Sequence, residues 1–185
     1  MITALARRVA LLSGAAGLVL LAQGLWIPAK AELAQILLDR AFARSVATGE
    51  PHKPWPWADT VPLARVEAER LGVSEVVLSG GSGEAMAFGP TELAGPPRTV
   101  RVLAGHRDTH FRFVRDLRRG DVLVLHGIDG SAVRYRVAAF TTVRWDRFAY
   151  PVAPARPLLA LATCYPFDAD HSGPLRRVAW AERIA

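Results

Sequence analysis

From Val9 to Ile27 the chain carries no charge, and Gln23 is its one strongly polar side chain. A bilayer's hydrocarbon core of about 30 Å needs roughly 20 apolar residues at about 1.5 Å rise each, so this run is long enough to span one. Arg7 and Arg8 precede it, and the positive-inside tendency puts Met1 in the cytoplasm and the rest of the chain outside. A cleaved signal peptide competes with a retained anchor, because Ala29-Lys30-Ala31 resembles a small-x-small cleavage site. Signal-peptide cores span only about 7–15 apolar residues, which favours the anchor. Next, Leu33, Ile36, Leu37 and Phe42 recur at helical spacing against Glu32, Asp39, Arg40 and Arg44. That pattern predicts an amphipathic helix over Ala31 to Val46 that packs back on the domain. The prolines of Thr48 to Trp57 end the periodicity and read as an extended wrapping segment, with Trp55 and Trp57 packed as a lid on the core.

Beyond this point the pattern shortens to strands. Ser74 to Leu78, Thr99 to Ala104, Asp121 to Leu125, Ala132 to Val143, Leu158 to Thr163 and Leu175 to Ile184 are apolar or β-branched, with turn residues such as Asp129-Gly130 between them. Ala64 to Leu71 fits a strand or a helix, since its Ala and Glu content suits both. Seven or so strands with little helix predict a mainly β fold, an antiparallel β-barrel or sandwich. Gly80-Gly-Ser-Gly83 lacks the following Lys-Ser/Thr of a phosphate cradle and reads as a hairpin loop.

At 185 residues the chain suits one ordinary domain behind the N-terminal segment. Setting aside Arg7 and Arg8 lowers the formal charge of +6 by two, and the remaining arginines are scattered. Nucleic acid is therefore not an expected partner. The single cysteine, Cys164, excludes an intramolecular disulfide, so the thiol is either buried and inert or kept for chemistry.

Chemistry gathers at strand ends. Cys164 closes the run from Leu158, His106 follows the strand ending at Ala104, and Arg176 and Arg177 lie past the loop Tyr165 to Pro174. The thiolate is the reactive form of cysteine, and an imidazole can take its proton or stabilise it as the charged pair. A guanidinium offers fixed donors to the oxyanion of an acyl transfer. Strand alternation allows only one of the two arginines to face such a site, and the pattern alone leaves the choice open. Thr163 is a candidate substrate-binding donor, with a satisfied strand-end threonine as the plain alternative. His171 is a candidate substrate contact from the loop, against an exposed surface histidine. His106 and His110 have a helical metal-ligand spacing with Asp108 between them. Their strand-then-loop setting and the lack of a third ligand argue against a metal, so none is expected. Asp108 and His110 are expected to steady the loop that carries His106.

Taken in order, Leu103-Ala-Gly-His-Arg-Asp-Thr-His-Phe111, Leu161-Ala-Thr-Cys-Tyr-Pro-Phe167 and Gly173-Pro-Leu-Arg176 resemble the sortases, membrane-anchored cysteine transpeptidases. Trp55-Pro-Trp-Ala-Asp-Thr60 narrows the likeness to the Gram-negative, proteobacterial branch (class GN). The resemblance implies an eight-stranded sortase β-barrel, antiparallel or mixed. It divides the chain into a transmembrane signal anchor (1–28), a juxtamembrane helix and linker (29–60), and a catalytic barrel (61–185). It makes Cys164 the nucleophile, His106 the general acid/base and Arg176 the oxyanion donor, with Arg177 held as the alternative in register.

The implied substrate is a secreted protein with an LPXTG-like C-terminal sorting motif, joined through a thioester to an amine acceptor, with no cofactor. The implied location is the inner membrane, with the barrel on the periplasmic side. Hydrolysis of the same thioester by a processing protease is the enzymatic alternative. A membrane-anchored binding module with an inert Cys164 is the non-enzymatic one.

Overall fold

Residues Pro62 to Ala68 settle the strand-or-helix ambiguity by period. Ala64, Val66 and Ala68 are buried while Arg65 and Glu67 stay partly exposed, which is the two-residue repeat of a pleated strand. In the computed structural model, which describes residues 2–81, 83–94, 99–171 and 173–185, this segment is β1 (Pro62–Ala68). It is followed by β2 (Val73–Leu78), the one-turn α2 (Gly83–Met86), β3 (Thr91–Glu92), β4 (Val100–Ala104), β5 (Val122–Gly127), β6 (Ala132–Arg144), β7 (Leu158–Tyr165) and β8 (Leu175–Arg183).

The strands close into a barrel in the order β1-β2-β3-β4-β7-β8-β6-β5. Pairs β2/β3 and β4/β7 are parallel and the other neighbours antiparallel, so the barrel is mixed, one of the two forms the resemblance implies. Two departures from the sequence pattern follow from this pairing. The two residues of β3 are too few to show an alternation. Gly80 to Gly83 leads into α2 and a parallel partner rather than a hairpin, and Ser82 lies outside the described residues.

The barrel's interior positions on β1 and β8 include small residues, among them Ala64, Ala68, Ala179 and Ala181. Phe111 and Phe113, from the connection between β4 and β5, fill that space with their rings edge to face at 5.7 Å. A second cluster lies on the outer face of the ladder, where Val100, Val102, Ala160 and Val178 pack with Phe148, Tyr150 and Trp180.

The N-terminal helix α1 (Ile2–Thr48) merges the two segments expected from the pattern and continues through Pro28. Strong helix formers dominate the stretch after the proline, and they outweigh the single donor that proline removes. The chain divides into two units, Met1–Ile36 and Leu37–Ala185. In the first, Leu11, Leu12, Leu18, Leu20 and Leu21 are all exposed, and α1 is the one described helix long and apolar enough to cross a membrane. In the second, Leu38 and Phe42 pack with Val76 and Leu78, and Trp55 meets Phe88 edge to face at 5.1 Å. Trp55 is thus a lid residue, whereas Trp57 is 83% exposed.

One ion pair fastens the turn after β1 to the start of β5. Arg70 donates to both carboxylate oxygens of Asp121, at 2.6 and 2.8 Å, and the Arg118 N–H donates to the same group at 2.7 Å. The Arg70 hydrogen bond is the main reason the Asp121 carboxyl is held below its usual range, with Arg118 adding to it and desolvation opposing both. A folded-state pKa below the unfolded value of about 3.9 gives stability that is complete above about pH 5 and is lost as pH falls through the depressed value. Asp121→Asn should therefore lower Tm at neutral pH, and the gap to wild type should shrink on acidification below about pH 4. Thermal melts across that range check this, and a gap independent of pH would refute it.

Candidate active site

Strand β7 brings the candidate residues together through both of its neighbours. On one side it runs parallel to β4, pairing Ala162 with Ala104, and the Gly105 N–H extends the ladder by donating to the Ala162 carbonyl at 3.2 Å. His106 therefore leaves β4 beside the end of β7. On the other side β7 is antiparallel to β8, with Cys164 directly opposite Arg176. Side chains opposite each other in an antiparallel ladder share a face. Leu159 and Leu161 point into the barrel core, so Cys164 and Arg176 occupy the outer face along with Ala160 and Val178.

On that outer face lies a cavity of about 290 Å³ lined by Met86, Leu93, Ala104, Gly105, His106, Trp145, Phe148, Ala162, Thr163, Cys164 and Arg176. Its walls are mainly apolar, and a thiol, an imidazole and a guanidinium share its lining. Cys164 is half-buried, accessible to a ligand yet held on a strand. Such a pocket, apolar with a few convergent polar groups, has the make-up of a ligand site.

The two arginines separate by the pleat. Arg176 lines the cavity, its Nη1 donating to the carbonyls of Gly173 and Leu175 at 2.9 and 2.8 Å. A guanidinium has five N–H donors, so these bonds leave others free to turn toward a ligand. Arg177, opposite Thr163, lies on the other face, over the Phe140 ring at 4.8 Å and donating to the Thr142 hydroxyl at 3.2 Å. Thr163 is buried, and its hydroxyl donates to the Gly105 carbonyl at 2.8 Å. Its side chain thus ties the residue before Cys164 to the residue before His106. His171 is exposed in the loop after β7 and is not part of the cavity lining.

The segment following His106 is held from several sides. The Phe111 N–H donates to the His106 carbonyl at 3.0 Å, and His110 Nδ1 lies 2.8 Å from Glu75 Oε2. Among the described residues no cluster of His, Cys, Asp and Glu is arranged to hold a metal. Asp108 accepts from Arg107 Nε and Nη2 at 2.8 and 3.1 Å. That hydrogen bond holds the Asp108 carboxyl below its usual range against desolvation, with the Arg107, His106 and Arg112 charges contributing less. The same bond raises the Arg107 pKa, and the negative charge available at Cys164 adds to it. Sequence reasoning missed Arg107, because a lone arginine in a loop gives no local sign that it will be buried.

The fold and the site define a class, a mixed β-barrel carrying a thiol, an imidazole and a guanidinium around one surface cavity. Residues 66–184 match the sequence model of the Sortase domain. The chain belongs to the sortase family, cysteine transpeptidases that act on sorting motifs outside the cytoplasm. Sortase C-1 from Actinomyces oris is similar over 67% of this chain and 75% of its own, with 26% identity and a TM-score of 0.60. The pilus-related sortase C of Group B Streptococcus shares 21% identity over 67% of this chain and 68% of its own, with a TM-score of 0.60. Sortase A from Corynebacterium diphtheriae shares 20% over 70% of this chain and 63% of its own, also with a TM-score of 0.60. These last two likenesses concern the fold alone. No curated protein matches the chain.

Gly105 is required by close approach rather than by its backbone angles. A Cβ there would lie 2.7 Å from Cγ of the buried Phe111 ring and 2.9 Å from its Cδ2. Gly105→Ala should cost about 1–3 kcal/mol through overpacking. At about 2–4 °C per kcal/mol for a domain of this size, melting should register the loss. An unchanged Tm would show that the ring can yield.

Proposed function

We propose that this protein is a membrane-anchored sortase of the Gram-negative, proteobacterial type, cleaving an LPXTG-like C-terminal sorting motif of a secreted protein and transferring the acyl group to an amine. The observation that carries this reading is the pairing of Cys164 with Arg176 across the β7/β8 ladder, in a cavity that His106 also lines. In the proposed reaction the Cys164 thiolate attacks a backbone carbonyl of the motif, and the electron pair moves onto oxygen. Arg176 stabilises that oxyanion with guanidinium donors. Collapse of the intermediate breaks the C–N bond, and the His106 imidazolium gives its proton to the leaving amine. An incoming amine then loses a proton to His106, forms the new amide and expels the Cys164 thiolate.

The Trp55 to Thr60 segment supports the Gram-negative branch and with it the inner membrane, the exposed apolar length of α1 supports a retained anchor, and Arg7 and Arg8 before that run support a barrel on the periplasmic side. The partly exposed Cys164 weighs against an inert thiol in a binding module. In the proposed division, 1–28 is the anchor, 29–60 the juxtamembrane helix and linker, and 61–185 the catalytic barrel.

The full chain in detergent, given a mixture of LPXTG-like peptides and an amine such as triglycine, tests the reading by intact mass. A substrate-dependent adduct on wild type, absent in Cys164→Ala, is expected, and an amide-linked product distinguishes transfer from the free carboxylate of hydrolysis. If Cys164 is labelled by iodoacetamide but no peptide forms an adduct, the LPXTG-like motif is wrong.

Removing the acid/base in His106→Ala should lower kcat/KM by about 10²–10⁴-fold. Arg176→Ala should lower it by about 10²–10³-fold, as loss of an oxyanion donor does. Arg177→Ala, which changes a surface contact, should alter it by less than about threefold. The reverse order for the two arginines would overturn the assignment of Arg176.

A further inference from the structure

Among the described residues, Arg107 is the one charged residue that is buried, at 6% exposure. A buried guanidinium is costly unless its donors are matched. Here they are. Nε and Nη2 reach the two oxygens of Asp108, Nη1 donates to the Pro166 carbonyl at 2.6 Å, and Nη2 donates to the Ala169 carbonyl at 2.7 Å. Arg107 immediately follows His106, and Pro166 lies two residues past Cys164. On the near side of the same two residues, Thr163 is tied to Gly105. His106 and Cys164 are thus bracketed, one tie joining the residues before them and the other joining the residues after.

We infer that Arg107 is a positioning residue for acyl transfer, fastening the loop after Cys164 to the segment that carries His106 so that thiol and imidazole keep a reacting geometry. The inference rests on the proposed cooperation of Cys164 with His106. A planar fork suits this task, because one guanidinium meets a carboxylate on one edge and two carbonyls from another loop elsewhere. Lysine supplies the charge but not the fork. Misplacement of reacting groups by about 1 Å can cost about 100-fold in rate, so a tie that touches neither substrate nor thiol can still govern turnover.

The test reads the thiol itself. Iodoacetamide alkylation of Cys164 in the full chain in detergent is followed by intact mass from about pH 5 to pH 10, a range that brackets the ordinary imidazole and thiol pKa values. Wild type, His106→Ala, Arg107→Ala and Arg107→Lys are compared well below their melting midpoints. Expected are a wild-type profile that differs from that of His106→Ala, an Arg107→Ala profile that collapses onto the His106→Ala curve, and an Arg107→Lys profile between the two. At the pH where wild type and His106→Ala differ most, Arg107→Ala should lose most of that difference.

A merely structural arginine would lower Tm and leave the profile of the folded protein unchanged. That result in either Arg107 variant overturns the inference while leaving the Cys164–His106 reading intact. If wild type and His106→Ala coincide, the paired reading fails and the role of Arg107 falls with it. Should Arg107→Ala not fold, Arg107→Lys carries the comparison.

Discussion

The ladder formed by β4, β7 and β8 is the constraint on which the rest of the molecule depends. Its pleat sends alternate side chains to opposite faces, so one sequence of strand residues serves two environments at once. Leu159 and Leu161 fill the barrel, while Ala160, Ala162 and Cys164 look outward under the cover of Phe148 and its neighbours. A slip of one residue between β7 and β8 would remove Arg176 from the position opposite Cys164 and bring Arg177 there instead. Burial of the interior leucines forbids that slip, so the hydrophobic core itself fixes which residues share the outer face.

The outer face also needs its loops fixed, and different elements share that work. Phe111 belongs to the core, yet it presses against Gly105 and its N–H holds the His106 carbonyl. The histidine segment is therefore anchored from inside the barrel by packing and from the side by Thr163 and Arg107. Arg115, paired with Asp168 at 2.7 Å, adds an exposed tie between the same two loops, where solvent screening makes its contribution small. Arg107 differs because it is itself buried and donates to two backbone carbonyls that cannot move independently of the chain, as well as to the Asp108 carboxylate.

Much of this was legible in the residues. Apolar and β-branched runs bounded by turn residues marked most strands, and the apolar run and helical spacing before Thr48 marked the N-terminal helix. The ordered motifs around His106, Cys164 and Arg176 pointed to the family and to the residues that line the cavity together. The two-residue β3 was not legible, since it is too short to carry a period, and neither was the path after Gly83, where a parallel partner replaced the expected hairpin. Thr163 left two readings open, and its hydroxyl is engaged with Gly105, a partner 58 residues away. No local pattern encodes such a partner.

The sequence by itself determined most of the strands and the long helix, which residues offer a thiol, an imidazole or a guanidinium at strand ends, and that one run is apolar enough for a bilayer. These are local properties of composition, period and functional group. Only the tertiary structure decided that β4 lies parallel to β7, that Arg176 rather than Arg177 shares the cavity with Cys164, and that Arg107 is buried. Each of these depends on register and on carbonyls brought together from distant parts of the chain, which are set when the barrel closes around its core.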